Sequence, residues 1–307
     1  MVRKGLRVMR YRYYLCDTFT DTRFGGNQLA VLPDAQGLSD GQMQKIAREL
    51  NLTQTTFVFP PERGHTRKVR IFTTTNEVPF AGHPNIGTAF ALATIGEFGE
   101  IGSTAQVFFE EKAGIVPVSI LKSPGKPLLC ELAAPERLSL GTVASPRLVA
   151  AATSLDPADI VTKTHPPRVA SVGLPFLFVE LKDLETLRRA EIDMKMIYAL
   201  TGHGLTPDIL LYVRSNDDFD LRTRVFAPLQ GVPEDPATGS ASCSLAGILA
   251  HYDKASDGRY EYRITQGVEM GRPSILNAAA FKENRVIVKT TISGSCVMVA
   301  DGYIEVD

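Results

Sequence analysis

Two short runs carry the residues best suited to moving a proton. His83 stands in Gly82-His83-Pro84, and Asp235 stands in Glu234-Asp235-Pro236, followed by Ala237, Thr238, Gly239 and Ser240. Each run leads into small, apolar residues that read as a helix: FALATI after Gly87-Thr88-Ala89, and CSLAGILA after Gly239-Ser240-Ala241. A helix start carries unpaired backbone N–H groups and a partial positive charge, so it favours a carboxylate or a developing oxyanion. Gly82, Gly87, Ala237 and Gly239 are small enough to let a ligand reach that backbone. The positive helix end also lowers the pKa of His83 and favours neutral imidazole, the form that accepts a proton. Asp235 could orient that imidazole, and Ser240 could donate a hydrogen bond to a substrate carboxylate. The competing reading is that Asp235, Thr238 and Ser240 only cap a buried helix. On the residues alone both readings stay open.

Other chemistries are excluded by what is missing. The run GSAS lacks the GxSxG elbow of a serine hydrolase, and there is no HExxH, GxGxxG or GxxxxGK[ST], so neither zinc nor a nucleotide is expected. Cys16, Cys130, Cys243 and Cys296 are widely spaced without a CxxC pair, which predicts reduced thiols and a cytoplasmic protein. A two-thiol racemase mechanism needs opposed cysteines, but Cys243 has no counterpart in the first half of the chain and reads as core packing. With 33 Lys and Arg against 34 Asp and Glu in 307 residues, the net charge is −1, which argues against a nucleic-acid partner. No apolar run is long enough for a membrane span, and the basic start MVRKGLRVMRYRYYL lacks the apolar core of a signal peptide.

The elements that position these residues are duplicated. Arg70-Ile71-Phe72 and Val78-Pro79 recur as Arg224-Val225-Phe226 and Val232-Pro233, each 154 positions later. Both copies read as strand, loop, Gly-bearing turn and small-residue helix, followed by a strand that ends at Gly114 or Gly267. The helices are apolar on every side, which implies burial on all faces by a curved sheet. Earlier in the first half, YRYYLCDTF and LAVL flank a turn at Phe24-Gly25-Gly26-Asn27. Ser39 then caps an amphipathic helix with Met43, Ile46, Ala47 and Leu50 on one face. The second half reads RVASVG, LPFLFVEL and a helix near DLETLRRAE. Short β-branched and aromatic runs outnumber helices, so the fold class is α+β. Lys122-Ser123-Pro124-Gly125-Lys126-Pro127 is the expected linker.

Taken in order, four motifs resemble the PhzF-like family of phenazine biosynthesis. They are Phe24-Gly25-Gly26-Asn27-Gln28-Leu29-Ala30-Val31, Asn51-Leu52-Thr53-Gln54-Thr55-Thr56-Phe57, Pro79-Phe80-Ala81-Gly82-His83-Pro84, and Glu234-Asp235-Pro236-Ala237-Thr238-Gly239-Ser240-Ala241. Gln266-Gly267, Gly271-Arg272-Pro273-Ser274 and Ser293-Gly294-Ser295 also fit, so the resemblance runs from about residue 12 to the end. It implies a diaminopimelate-epimerase-like fold: two pseudo-symmetric halves, each a barrel-like mixed sheet around a central helix, with the active site between them. The implied division is residues 1–122 with about 290–307 as the N-terminal half, and 123–289 as the C-terminal half.

The family's named activity is trans-2,3-dihydro-3-hydroxyanthranilate isomerase, which moves a double bond by proton transfer without a cofactor. By motif, His83 and Asp235 match catalytic positions, while Asn27, Gly82, Thr238, Gly239 and Ser240 match the substrate-holding ones. The family's acid/base glutamate is replaced here by Gln54, whose amide cannot titrate. The resulting expectation is a cofactor-independent isomerase or epimerase acting on a small carboxylate substrate, assembled as a homodimer, with no metal and no nucleic-acid or membrane partner. In it His83 and Asp235 move the proton and Gln54 positions the substrate. The alternative is a non-catalytic relative that binds small acids.

Overall fold

The computed structural model describes residues 8–307; the start of the basic N-terminal run lies outside the described residues. The chain divides into two compact units. Unit 1 comprises the described residues through Phe24, Gln28–Leu132 and Ser295–Asp307; unit 2 comprises Gly25–Asn27 and Ala133–Gly294.

Up to residue 133 the elements are β1 (Met9–Thr18), β2 (Asn27–Leu32), α1 (Asp40–Leu50), β3 (Gln54–Phe59), β4 (Arg67–Phe72), β5 (Glu77–Val78), α2 (Gly82–Thr94), β6 (Thr104–Glu111), β7 (Gly114–Leu121) and β8 (Leu129–Ala133). The strands from there on are β9 (Ser139–Val143), β10 (Ile160–Val161), β11 (Arg168–Ser171), β12 (Pro175–Leu181), β13 (Ile209–Arg214), β14 (Leu221–Ala227), β15 (Val232–Asp235), β16 (Gly258–Gln266), β17 (Ser274–Glu283) and β18 (Val286–Val306). The later helices are α3 (Pro146–Ala152), α4 (Leu184–Arg189), α5 (Met194–Gly202) and α6 (Gly239–Tyr252).

In unit 1 the strands pair in the order β18, β1, β2, β3, β4, β6, β7, β8, and β8 returns to β18, which closes an eight-strand barrel. Unit 2 repeats the plan as β11, β12, β13, β14, β16, β17, β18. The direction of pairing repeats as well. β2 and β3 are parallel, as are β12 and β13; β4 and β6 are parallel, as are β14 and β16; β6 with β7 and β16 with β17 are antiparallel. The sequence repeat therefore reflects a fold repeat.

Each central helix is enclosed as its apolar circumference requires. α2 is packed by β1, β3 and β7, and α6 by β11, β12, β16 and β17; nearly every residue of both helices is buried. The outer face of each sheet is covered differently. α1 places Met43, Ile46 and Ala47 against Leu32, Phe57 and Phe72, while α3, α4 and α5 share a core with β12 and β13 in unit 2. α1 begins with a capping box, in which Ser39 accepts from the Gln42 N–H and Gln42 accepts from the Ser39 N–H, and it ends at Asn51 in the left-handed conformation.

Two sequence readings change. The Pro/Gly run at residues 122–127 is the turn of the antiparallel β7–β8 pair rather than a connection between units, because Pro and Gly suit a tight reversal equally well. Gly87 serves packing, not ligand approach. A Cβ there would lie 2.5 Å from the Leu29 side chain and 2.7 Å from that of Thr18, so only glycine lets α2 lie this close to its barrel.

Candidate active site

In unit 2 the expected site residues Asn27, Asp235 and Thr238 form one hydrogen-bonded cluster with Gln266 at the start of α6. The Asp235 carboxylate ends β15 and accepts from Asn27 Nδ2 at 2.9 Å and from Thr238 Oγ1 at 2.5 Å. Asn27 Nδ2 also donates to the Ala237 carbonyl at 3.0 Å. Gln266, at the end of β16, donates to the Asp235 carbonyl at 2.6 Å and to Thr238 Oγ1 at 3.0 Å, and its Oε1 accepts from the Thr238 N–H at 3.2 Å. Burial pushes the Asp235 pKa up to about 6, although Thr238 and Asn27 both favour its ionised form.

This arrangement decides the capping question for Thr238. It occupies the N-cap position of α6, but its side chain makes no cap hydrogen bond and is turned to Asp235 instead. The first-turn N–H groups of α6 are therefore not consumed by a side-chain cap, and Gly239 and Ser240 follow in that turn, Gly239 buried and Ser240 half-buried.

The glycine-rich turn reaches this cluster through Arg272. Its guanidinium donates to the carbonyls of Gly26 at 2.8 Å and Gly25 at 2.6 Å, and the Gly26 N–H donates to the Pro273 carbonyl at 3.1 Å. Ser274 Oγ donates to the Pro236 carbonyl at 2.7 Å. Gly267 has φ +74°, and a Cβ there would lie 2.5 Å from the Arg272 carbonyl oxygen and 2.7 Å from that of Pro236. The Gln266-Gly267 and Arg272-Pro273-Ser274 motifs are thus the scaffold that holds Asn27 against Asp235.

In unit 1 the first turn of α2 carries Gly82 and His83, with Ala81 at the N-cap and no side-chain cap hydrogen bond. His83 is 7% exposed and its Nε2 has no partner. A hydrogen bond to the Gln28 backbone favours the charged ring, so the other nitrogen, Nδ1, donates there and Nε2 presents its lone pair. Burial nevertheless dominates and lowers the His83 pKa to about 3. The neutral imidazole expected from the sequence is present, but burial rather than the helix end is the main cause. Gln28 is the group that orients the ring.

Gln54 is half-buried at the start of β3, beside Leu29 of β2, and its Oε1 has no hydrogen-bond partner. Cys243 is buried in α6, as core packing requires. Two further groups escaped the sequence reading. Glu111, at the end of β6, is buried with both carboxyl oxygens unpartnered, and Asn85 in α2 has an unpartnered Oδ1. Among the described residues, no three His, Cys, Asp or Glu side chains are grouped to hold a metal ion, and no helix is long and apolar enough to cross a membrane.

The chain's likenesses agree with this architecture. The family model described as phenazine biosynthesis-like protein matches residues 16–302. An uncharacterized isomerase of Mesorhizobium japonicum is 36% identical over 300 residues, covering 94% of this chain and 97% of that protein. The trans-2,3-dihydro-3-hydroxyanthranilate isomerase of Pseudomonas aeruginosa is 33% identical over 296 residues, covering 95% and 98%. The crystal structure of a PhzF-family phenazine biosynthesis protein from Bacillus anthracis superposes with a TM-score of 0.84 at 24% identity, over 96% of this chain and 99% of that one. With a family match over nearly its whole length and named isomerases among its relatives, the chain belongs to the phenazine biosynthesis-like (PhzF) family and is an isomerase.

Proposed function

We propose that this isomerase moves a proton between two positions of a small carboxylate-bearing substrate, with His83 as the acceptor and donor of that proton. The observation that carries the reading is the His83 Nε2 lone pair: buried, without a protein partner, and on a ring kept neutral well below pH 7. In the forward step Nε2 takes a proton from a substrate carbon and the electron pair left behind delocalises toward the substrate's carboxylate side. The imidazolium then returns the proton to a second position. A substrate carboxylate beside the ring raises its pKa and makes the imidazolium accessible.

Asp235, with its pKa near 6, is the second group able to exchange a proton near neutral pH. In unit 2 the uncapped first turn at Gly239 and Ser240, backed by the Asn27–Asp235–Thr238 cluster, suits an anionic group, and in unit 1 the uncapped first turn at Gly82 does so too. Gln54, which cannot titrate, positions the substrate. The trans-2,3-dihydro-3-hydroxyanthranilate acted on by the P. aeruginosa relative is the first substrate to try. The missing acid/base glutamate at position 54 argues for one that differs from it.

The test is solvent deuterium incorporation into candidate acids, followed by NMR, for wild type and His83→Ala. Wild type incorporates deuterium and the variant loses roughly 10²–10⁴-fold of the rate. Equal rates in the two proteins would remove His83 from the mechanism.

A further inference from the structure

The hydrogen bonds around Asp235 form a chain whose direction can be read donor by donor. Gln266 is fully buried at the end of β16, which register sets opposite Thr223 of β14. Both hydrogens of its amide are used: Nε2 donates to the Asp235 carbonyl at 2.6 Å and to Thr238 Oγ1 at 3.0 Å, while Oε1 accepts from the Thr238 N–H at 3.2 Å. The reverse orientation would set Oε1 against the Asp235 carbonyl and Nε2 against the Thr238 N–H, so the network admits one orientation only.

A threonine hydroxyl has a single proton. With Gln266 donating to Thr238 Oγ1, that proton is left for Asp235 Oδ2, 2.5 Å away. Asn27 is fixed in the same way, one Nδ2 hydrogen going to the Ala237 carbonyl and the other to Asp235 Oδ1. Through these contacts Asp235 accepts one hydrogen bond on each oxygen, which is the pattern that suits an ionised carboxylate. A proton on Oδ2 would have to point at Thr238 Oγ1, and the Thr238 proton would then lose the acceptor it has.

We propose that Gln266 is a positioning residue for the chemistry of Asp235: its amide sets the direction of the Thr238 hydroxyl, and the hydroxyl keeps Asp235 in the form that can take up a proton. The assignment rests on Asp235 exchanging a proton with substrate, as in the proposed function. It asks more of Gln266 than filling space, because an apolar side chain of similar size would leave the Thr238 proton undirected. The influences on Asp235 agree with it. Burial is the largest and pushes its pKa up to about 6, and the Thr238 hydroxyl, ahead of Asn27, works against burial.

The charged groups on the surrounding elements do not take the place of these donors. On β14, Arg222 is paired with Asp217, and Arg224 with Glu234, the neighbour of Asp235 on β15. Arg263 of β16 donates to the Asp218 carbonyl. In the turn after Gln266, Glu269 is exposed and Arg272 donates to the carbonyls of Gly25 and Gly26. α6 carries the buried Cys243, and His251 lies in its last turn. The charge of Asp235 is therefore governed by burial and by the donors Thr238 and Asn27.

The experiment is a double-mutant cycle read on the Asp235 carboxyl carbon by NMR between pH 4 and 9, with deuterium incorporation measured in parallel. It uses wild type, Thr238→Val, Gln266→Met and the two changes together. Thr238→Val removes a donor to the carboxylate and raises the Asp235 pKa by about one. Gln266→Met raises it by roughly half as much, because the Thr238 hydroxyl is then free to accept from a protonated Asp235. In the Gln266→Met background, Thr238→Val adds less than about half of its effect in wild type. The acid limb of the incorporation profile moves to higher pH with the carboxyl. Where Gln266→Met does not fold, the cycle is run with Gln266→Glu, whose ionised carboxylate competes for the Thr238 proton, and the same weakening of the Thr238→Val effect is expected. An equal effect of Thr238→Val in both backgrounds, or an Asp235 that titrates in Gln266→Met as it does in wild type, overturns the assignment and leaves Gln266 as packing. If wild type exchanges no candidate acid, the proposed function fails, and the carboxyl resonance alone decides for or against Gln266.

Discussion

At the start of α6 the Asp235 carboxylate, the Thr238 hydroxyl and the Gln266 amide satisfy one another inside their own unit. At the start of α2, grown from the same repeat, His83 Nε2, Asn85 Oδ1 and both oxygens of Glu111 have no partner. A buried polar atom left unpaired costs about 1–3 kcal/mol, so a fold does not accumulate several at one helix start without compensation. In unit 2 the Asp235 carboxylate is held by its neighbours, although Ser242 Oγ of the same helix is unpartnered; in unit 1 the His83 Nε2 is left unpaired.

The largest test of that division is His83→Ala, which should cost roughly 10²–10⁴-fold in exchange rate while leaving thermal stability equal or higher, because it deletes an unsatisfied buried nitrogen. A large loss of stability would mean that His83 is structural.

Asp235→Asn should lower the rate about 10²-fold. It should also alter stability as a function of pH. The folded pKa of about 6 lies above the ordinary 3.8, so the folded protein holds this proton more tightly than the unfolded chain does. Stability from this group is therefore greatest at acid pH, declines as pH rises from about 4 to about 6, and is constant above that. Urea titrations at pH 4 and 7 should show the stability difference between variant and wild type changing across that window. An unchanged difference would show that the Asp235 proton is not held by the fold.

The duplicated ion pairs sharpen the comparison at a smaller scale. Arg70 grips Glu77 with two hydrogen bonds of 2.7 and 2.6 Å, and Arg224 grips Glu234 with two of 2.8 and 2.9 Å. Arg224 is the more buried, and it also donates to the carbonyls of Leu187, Arg188 and Ala190 where α4 ends. Arg224→Ala should cost about 3–5 kcal/mol and Arg70→Ala about 1–2 kcal/mol by chemical denaturation. Equal losses would show the two pairs to be interchangeable.

The smallest effect expected is from Gln54→Glu, a rise of roughly two- to tenfold toward trans-2,3-dihydro-3-hydroxyanthranilate in an NMR assay. No rise would place the divergence from the P. aeruginosa relative elsewhere in the site.

Much of this was legible in the residues. Two helices without a polar face can only be interior, and a constant spacing from Arg70 to Arg224 can only be a repeated unit. The polar start of the amphipathic helix at Ser39 was equally readable. The Arg–Glu pairs were not, because Glu77 precedes its Val-Pro step and Glu234 follows it, and β15 carries an irregular register that brings the later residue into place. Nor was the partnership of Gln266 with Thr238 readable. The two lie 28 positions apart, and only the register of β16 against β14 brings Gln266 to the start of α6. Sequence could place His83 at a helix start, but the loss of water that sets its basicity belongs to the folded chain.

The final strand has a consequence for how the molecule is made. β18 leaves unit 2 at Gly294, and its remainder pairs with β1, with Thr18 opposite Cys296 and Met9 opposite Val306. The first barrel therefore lacks a stave until residues 295–307 have been synthesised. During translation the earlier strands must wait, unsealed, for that segment to emerge, so a nascent chain stalled before it leaves β1 with an open edge available to any passing strand.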